Sequence, residues 1–277
     1  MNTALRRACV MGHPVAHSRS PMIHNYWLRK LGIQGSYELK DLPPDAFPGF
    51  VANLARNGYV GGNVTVPHKE AAFRAVAARD AAAEAVGAVN TLWLENGRLV
   101  GGNSDVHGFV ANLDEAAAGW NVAGCRAVVL GAGGTGRAAV HALRLRNVQV
   151  DLVNRTVARA DELARRFAPG VRAHAFDALP RLLPHADLLV NCTSLGLAGK
   201  APLELDLAPL KPRAVVYDVI YAPLETRLLA AARRRGHRTV DGLGMLLHQA
   251  GFGFRKWFGG DPRVTPELRA LVAADIK

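Results

Sequence analysis

The chain lacks several things that would mark it for the membrane, the secretory route or a metal. No apolar run reaches the roughly twenty residues a helix needs to span a bilayer. Met1 to Arg7 leads into a strand-like segment without the apolar stretch of a signal peptide, so a cytoplasmic location is expected. The three cysteines, Cys9, Cys125 and Cys192, stand alone in apolar surroundings with no Cys-x-x-Cys spacing. That argues against a disulfide framework and a zinc site, and leaves buried, reduced thiols as the expectation. His13 and His17 are four apart with Pro14 between them, so helical metal-ligand geometry is not expected, and no metal is assigned. Acidic residues are also scarce, 23 Asp and Glu against 34 Lys and Arg, for a formal charge of +11. No aromatic stripe interleaves with these basic residues. The densest run, Arg233-Arg234-Arg235, ends a helical segment, Leu224 to Arg235, where cations suit the negative helix terminus. Nucleic acid and membrane are therefore not expected partners, and an anionic cofactor with a small anionic substrate accounts for the positive field.

What is present fits two moderate domains. The 277 residues exceed one small domain, and 49% hydrophobic with 21% charged residues reads as globular. There is no internal repeat and no low-complexity linker.

The most informative segment lies midway. An apolar run, Arg126 to Leu130, meets Gly131-Ala132-Gly133-Gly134-Thr135-Gly136 and then helix-forming residues, Arg137 to Arg146. This is strand, GxGxxG, helix. Gly131 permits the tight turn, Gly133 lets backbone approach a pyrophosphate, and Gly136 lets the helix pack closely. Glycine turns also occur for structural reasons, so the surroundings decide. The next run, Val148 to Val153, reads as the second strand of a βαβ unit and ends in Asn154-Arg155-Thr156. An acidic residue there would bond the ribose diol of NAD. Arg155, with Arg159 four positions on, offers guanidinium groups to a ribose 2′-phosphate instead, so NADP is the expected cofactor. These arginines also suit an ordinary solvated helix start.

The first hundred residues alternate between strand-like and helix-like runs: Ala8 to Gly12, Pro21 to Leu31, Ser36 to Leu39, Asp45 to Asn57 and Tyr59 to Val66. That rhythm predicts a mostly parallel α/β sheet. Val89 to Leu94 and Leu99-Val100 flank Asn96-Gly97, a hairpin signal. Later strands are expected at Asp187 to Asn191 and Ala214 to Val219, and helices at Gly242 to Phe258 and Pro266 to Ile276. The expected plan is an N-terminal α/β substrate domain over residues 1–104, a bridging helix over 105–121, and a Rossmann dinucleotide-binding domain over 122–241. C-terminal helices over 242–277 return to the first domain.

Polar residues gather where the first-domain strands should end, the place where open α/β sheets bind ligands. His17-Ser18-Arg19-Ser20-Pro21 puts Ser20 at an N-cap and Pro21 at the first helical position. In Asn63-Val64-Thr65-Val66-Pro67-His68-Lys69, Pro67 starts a helix and Lys69 falls in its first turn, opposed by the helix dipole. Asn90-Thr91 and Asn103-Ser104-Asp105 complete the set. The glycine pairs Gly61-Gly62 and Gly101-Gly102 suit either hinges or strand ends.

In order along the chain, HSRSP (His17 to Pro21), GNVTVPHK (Gly62 to Lys69), GAVNT (Gly87 to Thr91), NSD (Asn103 to Asp105), GAGGTGR (Gly131 to Arg137), NRTVARA (Asn154 to Ala160) and DGLGMLLHQA (Asp241 to Ala250) resemble the signatures of the shikimate dehydrogenase family. The resemblance implies NADPH-dependent reduction of 3-dehydroshikimate to shikimate, on the route to chorismate and aromatic amino acids, by a monomer or homodimer. It implies Lys69 and Asp105 as catalytic residues. It also implies that Ser18 and Ser20 hold the substrate carboxylate and that Thr65, Lys69, Asn90, Asp105, Tyr221 and Gln249 complete the substrate site. Gly131, Ala132, Gly133, Gly134, Thr135, Asn154, Arg155, Thr156, Arg159, Thr193, Val219 and Gly242 match cofactor-lining positions.

Two positions depart from the family pattern. The usual Asp-Asn-Thr-Asp-Gly reads Gly102-Asn103-Ser104-Asp105-Val106, and Val219 replaces a frequent methionine. His68 adjoins Lys69 but faces elsewhere on a helix, so no catalytic role is expected. Rival readings are a quinate/shikimate dehydrogenase with broader substrate or cofactor use, and a non-catalytic ligand sensor.

Overall fold

A computed structural model describes residues 5–276; residues 1–4 and 277 lie outside the described residues, and with them part of the segment read as free of a signal peptide. The chain divides into two compact units, one containing residues up to Ser104 with Leu247–Val272, the other Asp105–Leu246 with the residues after Val272.

The first unit contains β1 (Arg6–Gly12), α1 (Ser20–Lys30), β2 (Gly35–Asp41), α2 (Phe47–Ala52), β3 (Gly61–Val64), α3 (Lys69–Ala75), β4 (Ala78–Arg79), α4 (Ala81–Val86), β5 (Thr91–Glu95) and β6 (Arg98–Gly102). The strands form one sheet in the order β2-β1-β3-β5-β6-β4. The pairs β1–β2, β1–β3 and β4–β6 are parallel, whereas β5 runs antiparallel to β3 and β6. Asn96 and Gly97 take φ of 51° and 74°, the two positive values a tight two-residue hairpin requires, and they reverse the chain between β5 and β6. Asp80 separates α3 from α4: its Oδ1 accepts the Ala83 N–H at 2.7 Å, capping α4. Met11, Phe47, Leu54, Val64 and Leu92 pack one core of this unit.

The two glycine pairs that suited either hinges or strand ends are closely packed. A Cβ on Gly61 would overlap Trp257, and one on Gly102 would overlap Asp80. Gly61-Gly62 open β3 and Gly101-Gly102 close β6, so the strand-end reading of these glycines is the one the structure matches.

The chain continues through α5 (Ser104–Ala116), β7 (Arg126–Leu130), α6 (Gly134–Leu145), β8 (Gln149–Val153), α7 (Val157–Arg166), β9 (Val171–His174), α8 (Leu179–Leu182), β10 (Leu188–Asn191), β11 (Val215–Asp218), α9 (Arg227–Arg234), β12 (Arg238–Val240), α10 (Gly242–Phe258) and α11 (Pro266–Ala274). The second sheet is parallel throughout, in the order β12-β11-β10-β7-β8-β9. Its strand order reverses between β7 and β10, the topological switch point at which parallel sheets open a crevice at their carboxyl ends. Leu130, Val153, Leu189 and Val216 carry the strands' apolar contribution to the core below that edge.

The helix expected from Arg137 begins earlier, at Gly134, because the glycine turn itself supplies the first helical turn. The segment expected to be helical from Leu224 starts at Arg227, where Thr226 Oγ1 accepts the Leu229 N–H at 3.3 Å and sets the boundary. Among the described residues no helix is long and apolar enough to cross a membrane.

Candidate active site

In the first unit a buried polar string is built on the register of two strands. Asn63 of β3 lies opposite Thr91 of β5. Asn63 Nδ2 donates to Asn90 O and to Thr91 Oγ1, both at 3.2 Å, while its Oδ1 accepts the Tyr37 hydroxyl at 2.6 Å. Thr91 Oγ1 donates to Asn90 Oδ1 at 2.9 Å, and the Ser104 N–H reaches the same oxygen at 2.8 Å. Ser104 Oγ then donates to Gln249 Oε1 at 3.0 Å. Two residues expected in the substrate site, Asn90 and Gln249, are thus joined through Ser104, which sequence reading placed in the cluster without giving it a role.

Backbone bonds bring further members to the same edge. Val89 N–H donates to Lys69 O at 3.0 Å, and Thr65 N–H donates to Met11 O at 2.9 Å beside the end of β1. Lys69 is half-buried, and Asp105, 8% exposed, is the second residue of α5. Ser20 is buried and Ser18 half-buried ahead of α1.

Two local expectations need correction. Ser20 is not the N-cap of α1; Arg19 occupies that position without a side-chain capping bond to the helix, and Ser20 is the first helical residue. The Ser18 hydroxyl, not that of Ser20, accepts a local N–H, from Ser20 at 3.3 Å. Likewise α3 begins at Lys69, with His68 at the cap and Pro67 before it. The lysine therefore sits at the positive terminus itself. His68 is structural, as expected: its Nε2 bonds Leu42 O at 2.7 Å and its ring stacks on Phe47 at 4.2 Å.

Behind Tyr37, His24 is fully buried, with the two rings stacked at 4.0 Å. Burial among aromatic rings pushes the imidazole down to about 3, against a smaller opposing pull from Asn63. Burial likewise raises the Tyr37 phenol well above its ordinary value, so both groups stay neutral.

In the second unit the glycine turn has the anticipated geometry. Gly131 takes φ of 101°, and a Cβ on Gly136 would overlap Gly131 O, so helix and turn touch at backbone distance. Gly133 and Gly134 are exposed, with nothing within 4 Å of where a Cβ would stand. Gly133 caps α6 without a side chain, and no acidic residue lies in the first turn. Such a terminus offers N–H groups to an anion. Ala132 differs, because its N–H donates to Asn154 Oδ1 at 3.1 Å.

Beside the turn lies a cavity of about 470 Å³ lined by Asn154, Arg155, Thr156, Arg159, Phe176, Thr193, Ser194 and Leu195. Two guanidinium groups facing a space this size fit the 2′-phosphate of a dinucleotide, and no carboxylate lines it. Phe176, Ser194 and Leu195 were not anticipated. Ser194 and Leu195 follow Thr193 just past the end of β10, so the rule that parallel sheets bind ligands at strand ends would have found them; Phe176 follows β9, a strand that gave no signal.

Thr193 is held from behind. Its hydroxyl donates to Asn191 Oδ1 at 2.7 Å, and Asn191 Nδ2 donates to Asp218 at 3.0 Å. Burial raises the Asp218 carboxyl, while bonds from Thr226, Ile220 and Asn191 oppose the shift. Val219 and Gly242 meet, since a Cβ on Gly242 would overlap Val219 O and the Gly242 N–H donates to Ile220 O at 3.0 Å. Tyr221 is half-buried in the turn after β11.

The cysteines are unpaired, with Cys9 and Cys125 buried and Cys192, just past the end of β10, partly buried.

Comparison with known proteins places these features in context. Residues 10–92 match the shikimate dehydrogenase substrate binding domain, and residues 113–197 match the shikimate / quinate 5-dehydrogenase domain. A shikimate dehydrogenase (NADP(+)) of Chelativorans sp. is 56% identical over 278 residues, covering 100% of this chain and 99% of the relative. The structure of shikimate 5-dehydrogenase from Thermus thermophilus in complex with NADP(H) and shikimate superposes with a TM-score of 0.87 at 37% identity, over 99% of this chain and 100% of that one. Quinate dehydrogenase from Corynebacterium glutamicum in complex with NAD gives a TM-score of 0.90 at 29% identity, over 98% and 99%. With a relative 56% identical from end to end, the chain belongs to the shikimate dehydrogenase family.

Proposed function

We propose that the protein is an NADP-dependent shikimate dehydrogenase that interconverts 3-dehydroshikimate and shikimate. The observation that carries the cofactor half is the cavity lined by Arg155 and Arg159 with no carboxylate, next to an uncapped helix N-terminus. The substrate half rests on the buried string that aligns Asn90 and Gln249 on the first unit. In this reading residues 1–104 with the C-terminal helices serve the substrate, residues 122–241 hold the cofactor, and 105–121 bridge them.

When bound, NADPH supplies the hydride that the carbonyl carbon accepts. Lys69, as an ammonium at the start of α3, donates a proton to the carbonyl oxygen as negative charge grows there, and recovers it from solvent. In the reverse direction the neutral amine takes the hydroxyl proton. Asp105 orients the ammonium and shares the reacting hydroxyl. Ser18 and Ser20 bind the substrate carboxylate; Thr65, Asn90, Tyr221 and Gln249 bind ring hydroxyls and fix the carbonyl against the hydride donor. Gly131 to Thr135 cradle the pyrophosphate, Asn154 to Arg159 hold the 2′-phosphate, and Thr193, Val219 and Gly242 line the remainder.

We assign the enzyme to the cytoplasm, a reading supported by its three unpaired cysteines. It acts as a monomer or homodimer with no nucleic-acid or membrane partner.

The test is a steady-state assay of the purified protein with shikimate or quinate, under NADP+ or NAD+. The reading predicts kcat/KM highest for shikimate with NADP+. A preference for quinate or NAD+ would favour the quinate/shikimate alternative, and no turnover with any pair would favour a ligand sensor.

A further inference from the structure

We infer that Thr91 is a positioning residue, whose buried hydroxyl locks the side-chain amides of Asn90 and Gln249 so that both present their NH2 groups to the substrate. This deepens the functional reading above and rests on it.

The inference follows from donors and acceptors whose direction is fixed. A primary amide has one accepting and one donating side, and nothing in an isolated asparagine decides which way it turns. Backbone groups decide it here. Asn90 O can only accept, so the Asn63 amide must turn Nδ2 toward it, at 3.2 Å. The same Nδ2 stands 3.2 Å from Thr91 Oγ1. Thr91 Oγ1 therefore accepts on that side and spends its single proton on Asn90 Oδ1, at 2.9 Å. The Ser104 N–H can only donate, and it reaches Asn90 Oδ1 from the other side at 2.8 Å.

Ser104 Oγ lies 3.2 Å from Asn90 Oδ1, whose two lone pairs already receive the Thr91 hydroxyl and the Ser104 N–H, and 3.0 Å from Gln249 Oε1, which therefore takes its proton. Both amides are thus held by their oxygens. With the oxygens taken by the string, the nitrogens are the groups left to read substrate oxygens as acceptors. A flipped Asn90 would set NH2 against the Ser104 N–H and the Thr91 hydroxyl at once.

Thr91 is completely buried and sits within the string, whose sides are Asn63, Asn90 and Ser104. It acts on substrate only through its neighbours. Valine keeps its shape and strand preference while deleting the hydroxyl, which leaves Asn63 Nδ2 without one acceptor and Asn90 Oδ1 without one donor.

The experiment compares wild type, Thr91→Val and Thr91→Ser in the shikimate-dependent reduction of NADP+, with KM for each substrate and kcat determined separately. Thr91→Val is expected to raise the KM for shikimate about tenfold, with the KM for NADP+ within about twofold of wild type. Thr91→Ser is expected to restore the shikimate KM. A shikimate KM unchanged in Thr91→Val overturns the inference. So does an equal rise in both KM values, or a serine variant as impaired as valine, since either marks a general packing role. If the valine variant fails to fold, Thr91→Cys, a weaker donor of similar size, is read in the same way, and a wild-type shikimate KM there overturns the inference. Absence of turnover in the wild-type control would count against the functional reading and not against the string.

Discussion

The side chain of Asn154 accepts the N–H of Ala132 at 3.1 Å and, through its Nδ2, donates to Thr156 O at 2.8 Å. One amide therefore ties the glycine turn at the end of β7 to the loop at the end of β8 that carries Arg155. In the proposed reading it holds the pyrophosphate and 2′-phosphate subsites in a common frame. Replacing Asn154 with Ala removes both bonds. We expect the KM for NADPH to rise about tenfold, with the KM for 3-dehydroshikimate within about twofold of wild type. Isothermal titration with NADP+ checks the same loss directly.

Arg155 and Arg159 are both exposed at the cavity, and in the proposed reading they separate NADP from NAD by charge. In the double variant Arg155→Ser, Arg159→Ala, kcat/KM with NADPH should fall about a hundredfold, the scale of losing two charge-assisted bonds to a phosphate. The value with NADH should change by less than about threefold. Equal losses with both cofactors would place these arginines outside the 2′-phosphate site.

His24 gives the fold an acid-sensitive point. Its imidazole titrates near 6.5 in the unfolded chain and is pushed down to about 3 when buried. The unfolded state then binds the extra proton between those values. The neutral ring's contribution is fully present above 6.5 and is lost progressively as the pH falls toward 3, by up to about 1.4 kcal/mol per pH unit. His24→Phe keeps an aromatic ring against Tyr37 and removes the titration. Urea midpoints at pH 7, 6, 5 and 4 should fall less steeply in this variant than in wild type. Parallel curves would show that the histidine does not titrate on unfolding.

Much of the second sheet was legible because its signals are local. The run Arg126 to Leu130 and the glycines after it fix β7 and the turn, and α10 spans Gly242–Phe258 as its helical pattern implies. The strands β9 and β12, with sequences VRAH and RTV, gave no signal, because they are three or four residues long, carry polar side chains and sit at the two edges of the sheet. In the first unit, the motifs named Asn90 and Gln249 but not their connection. That connection depends on Asn63 lying opposite Thr91 and on Ser104 and Gln249 meeting across 145 positions of sequence, which are facts of register and tertiary packing. For a related reason the sequence left Gly61-Gly62 and Gly101-Gly102 open between hinges and the strand ends they are. Their need for a missing Cβ comes from partners distant in sequence, such as Trp257 for Gly61.

The central claim is that a lysine at the first position of α3 moves the proton that accompanies hydride transfer. Single-turnover reduction of 3-dehydroshikimate by NADPH, measured for wild type and Lys69→Ala alongside equilibrium binding of shikimate, tests it most directly. The account predicts a rate at least about a hundredfold lower in the variant, with shikimate affinity within about fivefold of wild type. A variant that reduces 3-dehydroshikimate at the wild-type rate would contradict it.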